Sequence, residues 1–473
     1  MTEEIRLNYH EIDFIVPAQR FNFRFSYVAK QGLSFIREFV LRLVQLAPMK
    51  PSQIATYLGL NKLEVNEAIS DLMDKGDLVF NEQGLVQLTQ QSTSYFESIG
   101  KPPKTNSIQE TGVALSFELC GFNCIGNKRS SGGWHTGIKL SVDNKKLSET
   151  EGLAKSNFQR NFYQLLDNDY LKGVRTEGSE RPSIYTIDSV SKLTQDPMRL
   201  TTYFAIDQEG KAIEREDFDN LDDSSEVHEA ITIALNQSQK GQNIQEIALA
   251  MKSFGDTWTK DIFNSNSIDI AALGHRYAEA LLDDKKEIPF VGPIYAGNNW
   301  EHIRKILNSL SASFMKSKEK AVKQLTWIAP SDVFWGKSKK IEFCFNEIEQ
   351  AQFTQEKNPQ RIYTPSIFLP LSDITDRRTI RSWKNEFRKC SNNLHGLIEG
   401  FLGGSVEVIV LEKTFAVVCY HVSRPETHPV SIPVGFITTD LKLINTISDI
   451  TQDYIGGSSS FNKKHNLGLL DRL

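Results

Sequence analysis

Three acid–base side chains stand close together late in the chain: His421, Glu426 and His428. Imidazole and carboxylate groups of this kind could bind a metal ion or transfer protons during catalysis. Trios like this also arise by chance in polar loops between strands, and the alternative is a loop without chemistry. We therefore predict no catalytic residue and keep the trio as the candidate site of a rival, enzymatic function.

The other arrangement that could hold a metal consists of Cys120 and Cys124 followed by His135. A structural zinc site usually takes paired Cys or His ligands from two separate segments. The second pair is missing, so we expect structural cysteines and no metal. The sequence also lacks a glycine-rich dinucleotide motif, a P-loop, a nucleophile elbow and the kinase motifs, and no cofactor is predicted.

The most cationic part of the sequence lies around residue 380, where lysines and arginines recur every three or four residues. Side chains at that spacing share one face of a helix, and a helix is predicted over 380–401. Cations beside aromatic residues suit a phosphate backbone. The alternative is a solvated helix face without a partner. The residues of this row that we predict to bind nucleic acid are Arg377, Arg378, Arg381, Lys384, Arg388 and Lys389.

Other cations extend this prediction. Lys316, Lys320 and Lys323 form a second row on a helix expected over 300–323, and Lys337, Lys339 and Lys340 form a third cluster. In the middle of the chain, a basic helix-and-wing pattern over 157–187 contributes Arg175 and Arg181 as phosphate contacts.

Before these segments, the N-terminal region shows the apolar spacing of amphipathic helices. Apolar residues such as Ile36, Val40 and Leu43 predict a helix over 26–47, and Asn61 is a suitable N-cap for a later helix. The predicted order is helix 26–47, helix 53–58, a third helix that buries Val65, Ile69, Leu72 and Met73, and short strands 78–80 and 85–88.

This order, and the stretch PSQIATYLGLNKLEVNEAISDLMDKGDLVFNEQGLVQLT, resembles the winged helix-turn-helix family of transcription regulators over residues 34–97. The resemblance implies that the third helix enters the major groove of DNA. Lys62 and Asn66 could contact DNA from this helix. However, it also carries four acidic residues, Glu64, Glu67, Asp71 and Asp74, which duplex DNA would repel. The alternative is a winged helix that binds protein.

The C-terminal half alternates helices and strands, which predicts a layered α/β domain. The strands VEVIVLEK, FAVVCYHV and PVGFITTD, with a closing helix over 441–454, resemble the C-terminal half of a phospholipase D-like unit. That resemblance places a His-x-Lys-x4-Asp motif on the strand where Phe415 and Val417 stand here. It therefore implies that catalysis is lost and that a binding domain remains.

The composition of the chain limits which kinds of partner and which location can be expected. The chain has 473 residues, of which 40% are hydrophobic, five cysteines and a net charge of −5. Residues 301–473 carry 23 Lys and Arg against 18 Asp and Glu, or +5, which leaves −10 for residues 1–300. An anionic partner would therefore dock on the C-terminal part, unless the asymmetry is chance. The absence of a long apolar run and of a signal sequence favours a cytoplasmic protein with no membrane contact.

We predict a multidomain α+β and α/β fold. Its domains are an N-terminal winged helix over 1–97, a strand-rich α+β middle domain over 108–205, which includes the second helix-and-wing pattern, and an α/β C-terminal domain over 225–473. An acidic linker over 207–229 separates the last two.

The predicted function is a non-enzymatic DNA-binding or complex-assembly protein, with protein partners or a homo-oligomer as further expectations. A bacterial system such as antiviral defence or DNA maintenance would suit this build. Two alternatives remain open: a nuclease or phosphodiesterase with a nonstandard site, phospholipase D-like or metal-dependent, and a protein-only adaptor.

Overall fold

A computed structural model describes residues 6–457 apart from twelve short gaps. These are 33–34, 130–134, 175–180, 219–220, 222–224, 239–240, 257–258, 263–268, 283–285, 318–319, 374–375 and 389–392. The described residues form helices and four sheets, so the chain is a multidomain α+β protein, as predicted. No helix among them combines the length and the apolar character needed to span a bilayer.

Residues 7–32 form two strands, β1 (Leu7–Val16) and β2 (Ala18–Gly32), that belong to different sheets. β2 lies in an antiparallel sheet with β5 (Lys104–Glu118), β6 (Cys124–Gly126) and β8 (Ser183–Gln195), in the order β6-β5-β2-β8. β1 lies between β7 (Ile138–Lys139) and β9 (Met198–Ile206). The first strands therefore pair outside the predicted domain 1–97.

The helix expected over 26–47 is wrong in its first part, because β2 continues to Gly32. Phe21, Phe23 and Phe25 alternate along β2 and are buried on one face of the sheet, which is the two-residue period of a strand. This face packs against α6 (Thr150–Arg160) and α7 (Phe162–Asp167), where Phe23 stacks on Phe158 at a ring distance of 4.5 Å. This alternation makes the segment a strand, since burial of each Phe side chain stabilises the fold by roughly 1.5–3 kcal/mol.

Between β2 and β5 the chain forms a separate helical module. It consists of α1 (Phe35–Leu46), α2 (Pro51–Leu58), α3 (Lys62–Asp74), the strands β3 (Leu78–Phe80) and β4 (Val86–Leu88), and the short α4 (Gln90–Thr93). Asn61 caps α3 by accepting from the backbone N–H of Glu64 at 2.9 Å. The module has its own apolar core, which includes Val40, Ile54, Val65 and Leu72. Its membership of the winged-helix family stays a prediction.

The second wing was expected within 157–187, of which the structure describes all but 175–180, and its last strand pairs with a distant part of the chain. Residues 184–187 lie in β8, which pairs with β2 along its length. The hydrogen bonds of β8 are therefore made to a strand more than 150 residues earlier, a pairing that local sequence cannot indicate.

The C-terminal part is built on a seven-stranded mixed sheet of order β10-β16-β15-β14-β11-β12-β13. Its strands are β10 (Glu287–Val291), β11 (Lys323–Ile328), β12 (Tyr363–Leu371), β13 (Leu394–Ile398), β14 (Val406–Leu411), β15 (Phe415–Val422) and β16 (Ile432–Thr438). β11, β12 and β13 are parallel to one another, and the other neighbours are antiparallel.

Both faces of this sheet are covered, which explains why β14, β15 and β16 are buried at every position. One core includes α11 (Gly297–Lys316), α12 (Lys340–Ala351) and α13 (Arg377–Glu386). The other includes α8 (Ser225–Ser238), α9 (Ile244–Phe254), α14 (Leu441–Gly457) and strand β1. The remaining helices are α5 (Asn144–Ser148) and α10 (Ile270–Leu282).

Two helices in this part are shorter than predicted. The helix expected over 300–323 ends at Lys316, and Lys323 begins the buried strand β11. The helix expected over 380–401 ends at Glu386, and residues 394–398 form strand β13 instead. In the second case the apolar segment 394–398 joins the sheet, where pairing with β12 buries it.

Candidate functional site

Helix α13 is fixed to the sheet along one side. Its N-cap is Asp376, whose carboxylate accepts a hydrogen bond from the backbone N–H of Thr379 at 3.0 Å. Hydrogen bonds from Thr379 are the main cause that lowers the pKa of Asp376 to about 2. Ile380 is buried, and the indole N–H of Trp383 donates to the carbonyl of Pro370 at 3.1 Å. These contacts leave the opposite face of α13 open to solvent.

Arg377, Arg378 and Arg381 occupy that open face and are all exposed. Within the described part of the chain, none of the three makes an ion pair. Because α13 follows strand β12, its first turn lies at the carboxyl edge of the sheet. The structure therefore presents three unneutralised guanidinium groups together, starting at that edge.

The rest of the predicted row is less uniform. Lys384 is half-buried and is engaged in a contact within the chain. Arg388 is exposed but follows the helix, which ends at Glu386 with Phe387 as C-cap. Lys389 lies outside the described residues.

The second row, Lys316, Lys320 and Lys323, does not share a helix face. Lys316 is the exposed last residue of α11, whereas Lys320 lies in the connection and its Nζ is 3.4 Å from Gln360 Oε1. Lys323 is half-buried in β11 and donates to Thr414 Oγ1 at 2.7 Å. Burial lowers the pKa of Lys323. The prediction that these three lysines form one row on a helix is wrong.

Internal carboxylates neutralise other predicted cations. Lys337 Nζ lies 2.5 Å from Oε1 of the buried Glu386, and Lys340 pairs with Glu11. In the middle region, the exposed Arg181 pairs with the exposed Asp167 at 3.2 Å, and Arg175 lies outside the described residues.

Lys62 and Asn66 are exposed on α3, as predicted, but the same helix also exposes acidic residues. Lys62 is the only basic residue of α3, against Glu64, Glu67, Asp71 and Asp74. Asp71 pairs with Arg37 of α1, which occupies the groove beside the helix. The surface of α3 is therefore negatively charged.

A buried ionic cluster lies where β11, β14 and β15 meet. Nδ1 of His421 is 2.9 Å from Asp332 Oδ2, and Nε2 is 3.0 Å from Glu407 Oε2. The indoles of Trp327 and Trp335 donate to Glu407 Oε1 at 2.9 and 2.7 Å. Every polar atom of the buried Glu407 carboxylate thus has a partner, as its burial requires.

The charges in this cluster favour a protonated imidazole. Burial opposes the charge, but Cys419, Asp332 and Glu407 outweigh it and raise the pKa of His421 well above its usual value. Burial raises the pKa of the Cys419 thiol to about 11, so the thiol is neutral at pH 7 and the carboxylates supply the field. An imidazolium can donate from both ring nitrogens, which matches the two carboxylate partners.

A cavity of about 240 Å³ opens beside the cluster at the carboxyl edge of the sheet. Ligands of open α/β sheets often bind at this edge. The cavity is lined by Asn243, Glu246, Asp332, Gly403, Ser405 and Ser431, among others. Asn243 ties its walls together, since its side chain donates to Ser405 Oγ and to the carbonyl of His421, each at 2.8 Å.

The predicted trio of His421, Glu426 and His428 is not one site. Glu426 is exposed, whereas His428 is buried and its Nε2 lies 3.2 Å from the carbonyl oxygen of Gly210. Burial lowers the pKa of His428, in contrast to His421. The three residues, although close in the sequence, therefore lie in different environments.

Glu407, Cys419 and His421 bring three atoms that could hold a metal within 4.8 Å of one another. All three residues are fully buried, and a metal would have to displace the proton between His421 and Glu407. Hydrogen bonding accounts for this arrangement without a metal. Cys120 and Cys124, which the sequence places before His135, are not joined by a disulfide.

Sequence reasoning missed Asp332 and Glu407. They lie 89 and 14 residues from His421, and only strand pairing brings them together. One signal was available: Glu407 is the single charged residue in the apolar strand VEVIVL, where a charge needs a partner.

No model of a known protein family matches the chain, and no curated protein matches it either. Among solved structures, the chain is similar to Nuc, a phospholipase D family member from Salmonella typhimurium. The match has 12% identity and a TM-score of 0.20, and it covers 32% of this chain and 85% of Nuc. At that TM-score the likeness carries no argument, and the phospholipase D resemblance stays a prediction.

Proposed function

We propose that this protein is a non-enzymatic DNA-binding or complex-assembly protein whose helix α13 contacts the phosphate backbone. One observation carries the proposal: Arg377, Arg378 and Arg381 are exposed together and make no ion pair within the described residues. Three guanidinium groups on one helix suit the regular spacing of backbone phosphates, because each forms charge-assisted hydrogen bonds with phosphate oxygens.

Charge distribution supports this choice of surface. The chain as a whole is acidic, with a net charge of −5, so nonspecific attraction of the whole molecule to DNA is weak. A local cationic face can still bind, since screening limits electrostatic interactions to about 8–10 Å at ordinary ionic strength.

The helical module has a different role in this proposal. Four carboxylates on α3 repel the phosphates of a major groove, and Lys62 alone does not offset them. We assign this module to orientation of the complex or to a protein partner. The defence or DNA-maintenance context stays a prediction.

The rival function, a nuclease at the cavity beside His421, is disfavoured by charge. Asp332 and Glu246 line the cavity, Glu407 lies behind it, and His421 is the one cation among these four residues. Neighbouring hydrogen bonds from His421 and Ser431 outweigh burial and lower the pKa of Asp332, which makes this carboxylate a weak base. A phosphodiester would therefore be repelled there and would find no strong general base.

A binding assay with a fluorescently labelled duplex tests the proposal. We expect wild-type protein to bind at low salt, and the triple variant Arg377→Ala, Arg378→Ala, Arg381→Ala to bind at least about tenfold more weakly, because each lost phosphate contact costs about 1 kcal/mol or more. The matched control removes three exposed lysines elsewhere: Lys101→Ala, Lys252→Ala, Lys442→Ala.

Both variants lose the same net charge, so a specific role of α13 predicts a loss only in the arginine variant. An equal loss in the two variants would show that total charge, and not α13, determines binding. Absence of binding by the wild-type protein at low salt would refute the proposal. Incubation with plasmid and Mg²⁺ checks the rival: cleavage that disappears in His421→Ala would favour a nuclease.

A further inference from the structure

The cavity beside His421 has no part in the proposed DNA contact, yet several elements converge on it. Asp332 follows β11, Ser405 precedes β14, His421 ends β15 and Ser431 precedes β16. The backbone N–H of Ser331 donates to the carbonyl of Gly404 at 2.7 Å, which joins two of these loops. Three connections of the sheet therefore form one cavity of about 240 Å³.

The charged side chains that line the cavity are the carboxylates of Asp332 and Glu246 and the imidazole of His421. Oδ2 of Asp332 already accepts from His421 and Ser431, whereas among the described residues Oδ1 has one donor, the backbone N–H of Phe334, at 3.1 Å. A carboxylate oxygen has two lone pairs, so Oδ1 retains acceptor capacity. Glu246 extends from the exposed first turn of α9 and packs beside Gly403 at the rim.

The net charge of this wall is negative. His421 and Asp332 compensate each other, which leaves Glu246 at the rim and Glu407 behind the floor. The largely buried Asp332 and the buried Glu407 favour a cationic ligand, because the low dielectric around them strengthens charge interactions. Glu246 is exposed to solvent and adds a weaker attraction at the rim.

We propose that this cavity binds a small organic cation that carries an ammonium or guanidinium group, held between Asp332 and Glu246. The hydroxyl of Ser405 and the carbonyl groups of the surrounding loops provide further hydrogen-bond partners. The cation can be a free amine or the side chain of a lysine or arginine from a partner protein. Both sources have the same chemistry at the charged end.

The size of the cavity and the atoms that line it favour an organic cation over an inorganic ion. The cavity has room for about eight water molecules at roughly 30 Å³ each, more than a single bare cation fills. Both ring nitrogens of His421 are already engaged, so the imidazole offers no lone pair to a metal. Inorganic phosphate would meet the two carboxylates of the wall and be repelled.

Calorimetric titration of the full chain with putrescine and with Nα-acetyl-arginine amide tests the proposal. We expect saturable binding of at least one probe, and a loss of at least about tenfold in affinity in Glu246→Gln, the usual effect of removing one charge-assisted hydrogen bond. Glu229→Gln, an exposed carboxylate on α8, provides the same change of charge away from the cavity and should alter affinity less than twofold.

A second readout locates the ligand, because the buried Asp332 cannot be replaced without disturbing its ion pair. Binding at Asp332 should shift the ring-nitrogen NMR resonances of His421, whereas binding elsewhere should not.

Tighter binding of putrescine would support a free amine, and tighter binding of the arginine probe would support a partner side chain. The proposal would be overturned if neither probe binds, or if Glu246→Gln leaves the affinity unchanged. It would also be overturned if Mg²⁺ or phosphate binds in the cavity without displacing either probe. DNA binding by α13 is unaffected by either outcome.

Discussion

The ring of His421 and the carboxylate of Asp332 form a buried ion pair, with Nδ1 2.9 Å from Oδ2. The pair links the loop after β11 to the end of β15, so it closes the carboxyl edge of the seven-stranded sheet. Taking both charges out of water costs several kcal/mol each, which attraction and further hydrogen bonds must offset. Glu407, Ser431 and the two indoles supply those bonds.

Glu407→Gln should destabilise the fold by about 3 kcal/mol, since it breaks a buried charge pair and places an amide against the imidazolium. Urea unfolding followed by tryptophan fluorescence measures the change. Glu399→Gln, an exposed carboxylate after β13, is the control and should change stability by less than about 0.5 kcal/mol. A loss below about 1 kcal/mol in Glu407→Gln would mean that the cluster does not stabilise the sheet edge.

Stability should have a maximum near pH 6.5, because the pKa values of the buried histidines are shifted in opposite directions, upward for His421 and downward for His10 and His428. The folded pKa of His421 is raised, so its contribution is complete below 6.5 and is lost as the pH rises through the folded value. Burial lowers the pKa of His10 to about 4, so the unfolded chain takes up a proton first and stability falls between pH 6.5 and 4, by about 3 kcal/mol for this group.

Unfolding free energies measured on both sides of pH 6.5 test this profile. His421→Gln should lose the decline on the alkaline side while it keeps the decline on the acidic side. A wild-type profile that rises steadily through neutral pH would contradict the assignment of His421 as an imidazolium.

Gly435→Ala should destabilise the protein by about 3 kcal/mol or more, as expected for overpacking at a rigid backbone. A Cβ at this position in β16 would stand 2.0 Å from the carbonyl oxygen of Val418 in the neighbouring strand. Gly297→Ala, at the start of α11, meets no atom within 4 Å and should be neutral or stabilising. Equal melting temperatures for the two variants would mean that β15 and β16 are not paired in this register.

Lys62→Ala and Asn66→Ala together should leave DNA affinity within about twofold of wild type, because the acidic surface of α3 does not contact the duplex. The labelled-duplex assay measures this directly. A loss of tenfold or more would return the helical module to the role that its winged-helix resemblance implies, with α3 as the helix that contacts DNA.

Local patterns predicted the helical module well, because its stabilising contacts lie within some sixty residues. Val65, Ile69 and Leu72 share a face of α3 and are buried as expected. The same reasoning extended a helix back to residue 26, where Phe25 and Tyr27 alternate into a sheet core. Partners of β2 lie more than 70 residues away, and only they decide that the segment is a strand.

The candidate site was predicted in part. The cations of α13 follow from their spacing, since Asp376 caps the helix and Ile380 marks its buried side. The helix end at Glu386, the pairing of Lys337 with Glu386, and the meeting of His421 with Asp332 were not predicted. Each of these features depends on how strands that are distant in the sequence align. Local patterns of residues do not contain that information.

The salt dependence of DNA binding tests the role of α13 most directly. Each phosphate neutralised contributes about −0.9 to the slope of log affinity against log salt concentration, so three arginine contacts predict a slope of about −2.7. We expect the wild-type slope to be at least this steep, and the variant lacking Arg377, Arg378 and Arg381 to be shallower by about that amount. An identical slope in the two proteins would contradict a phosphate contact by α13.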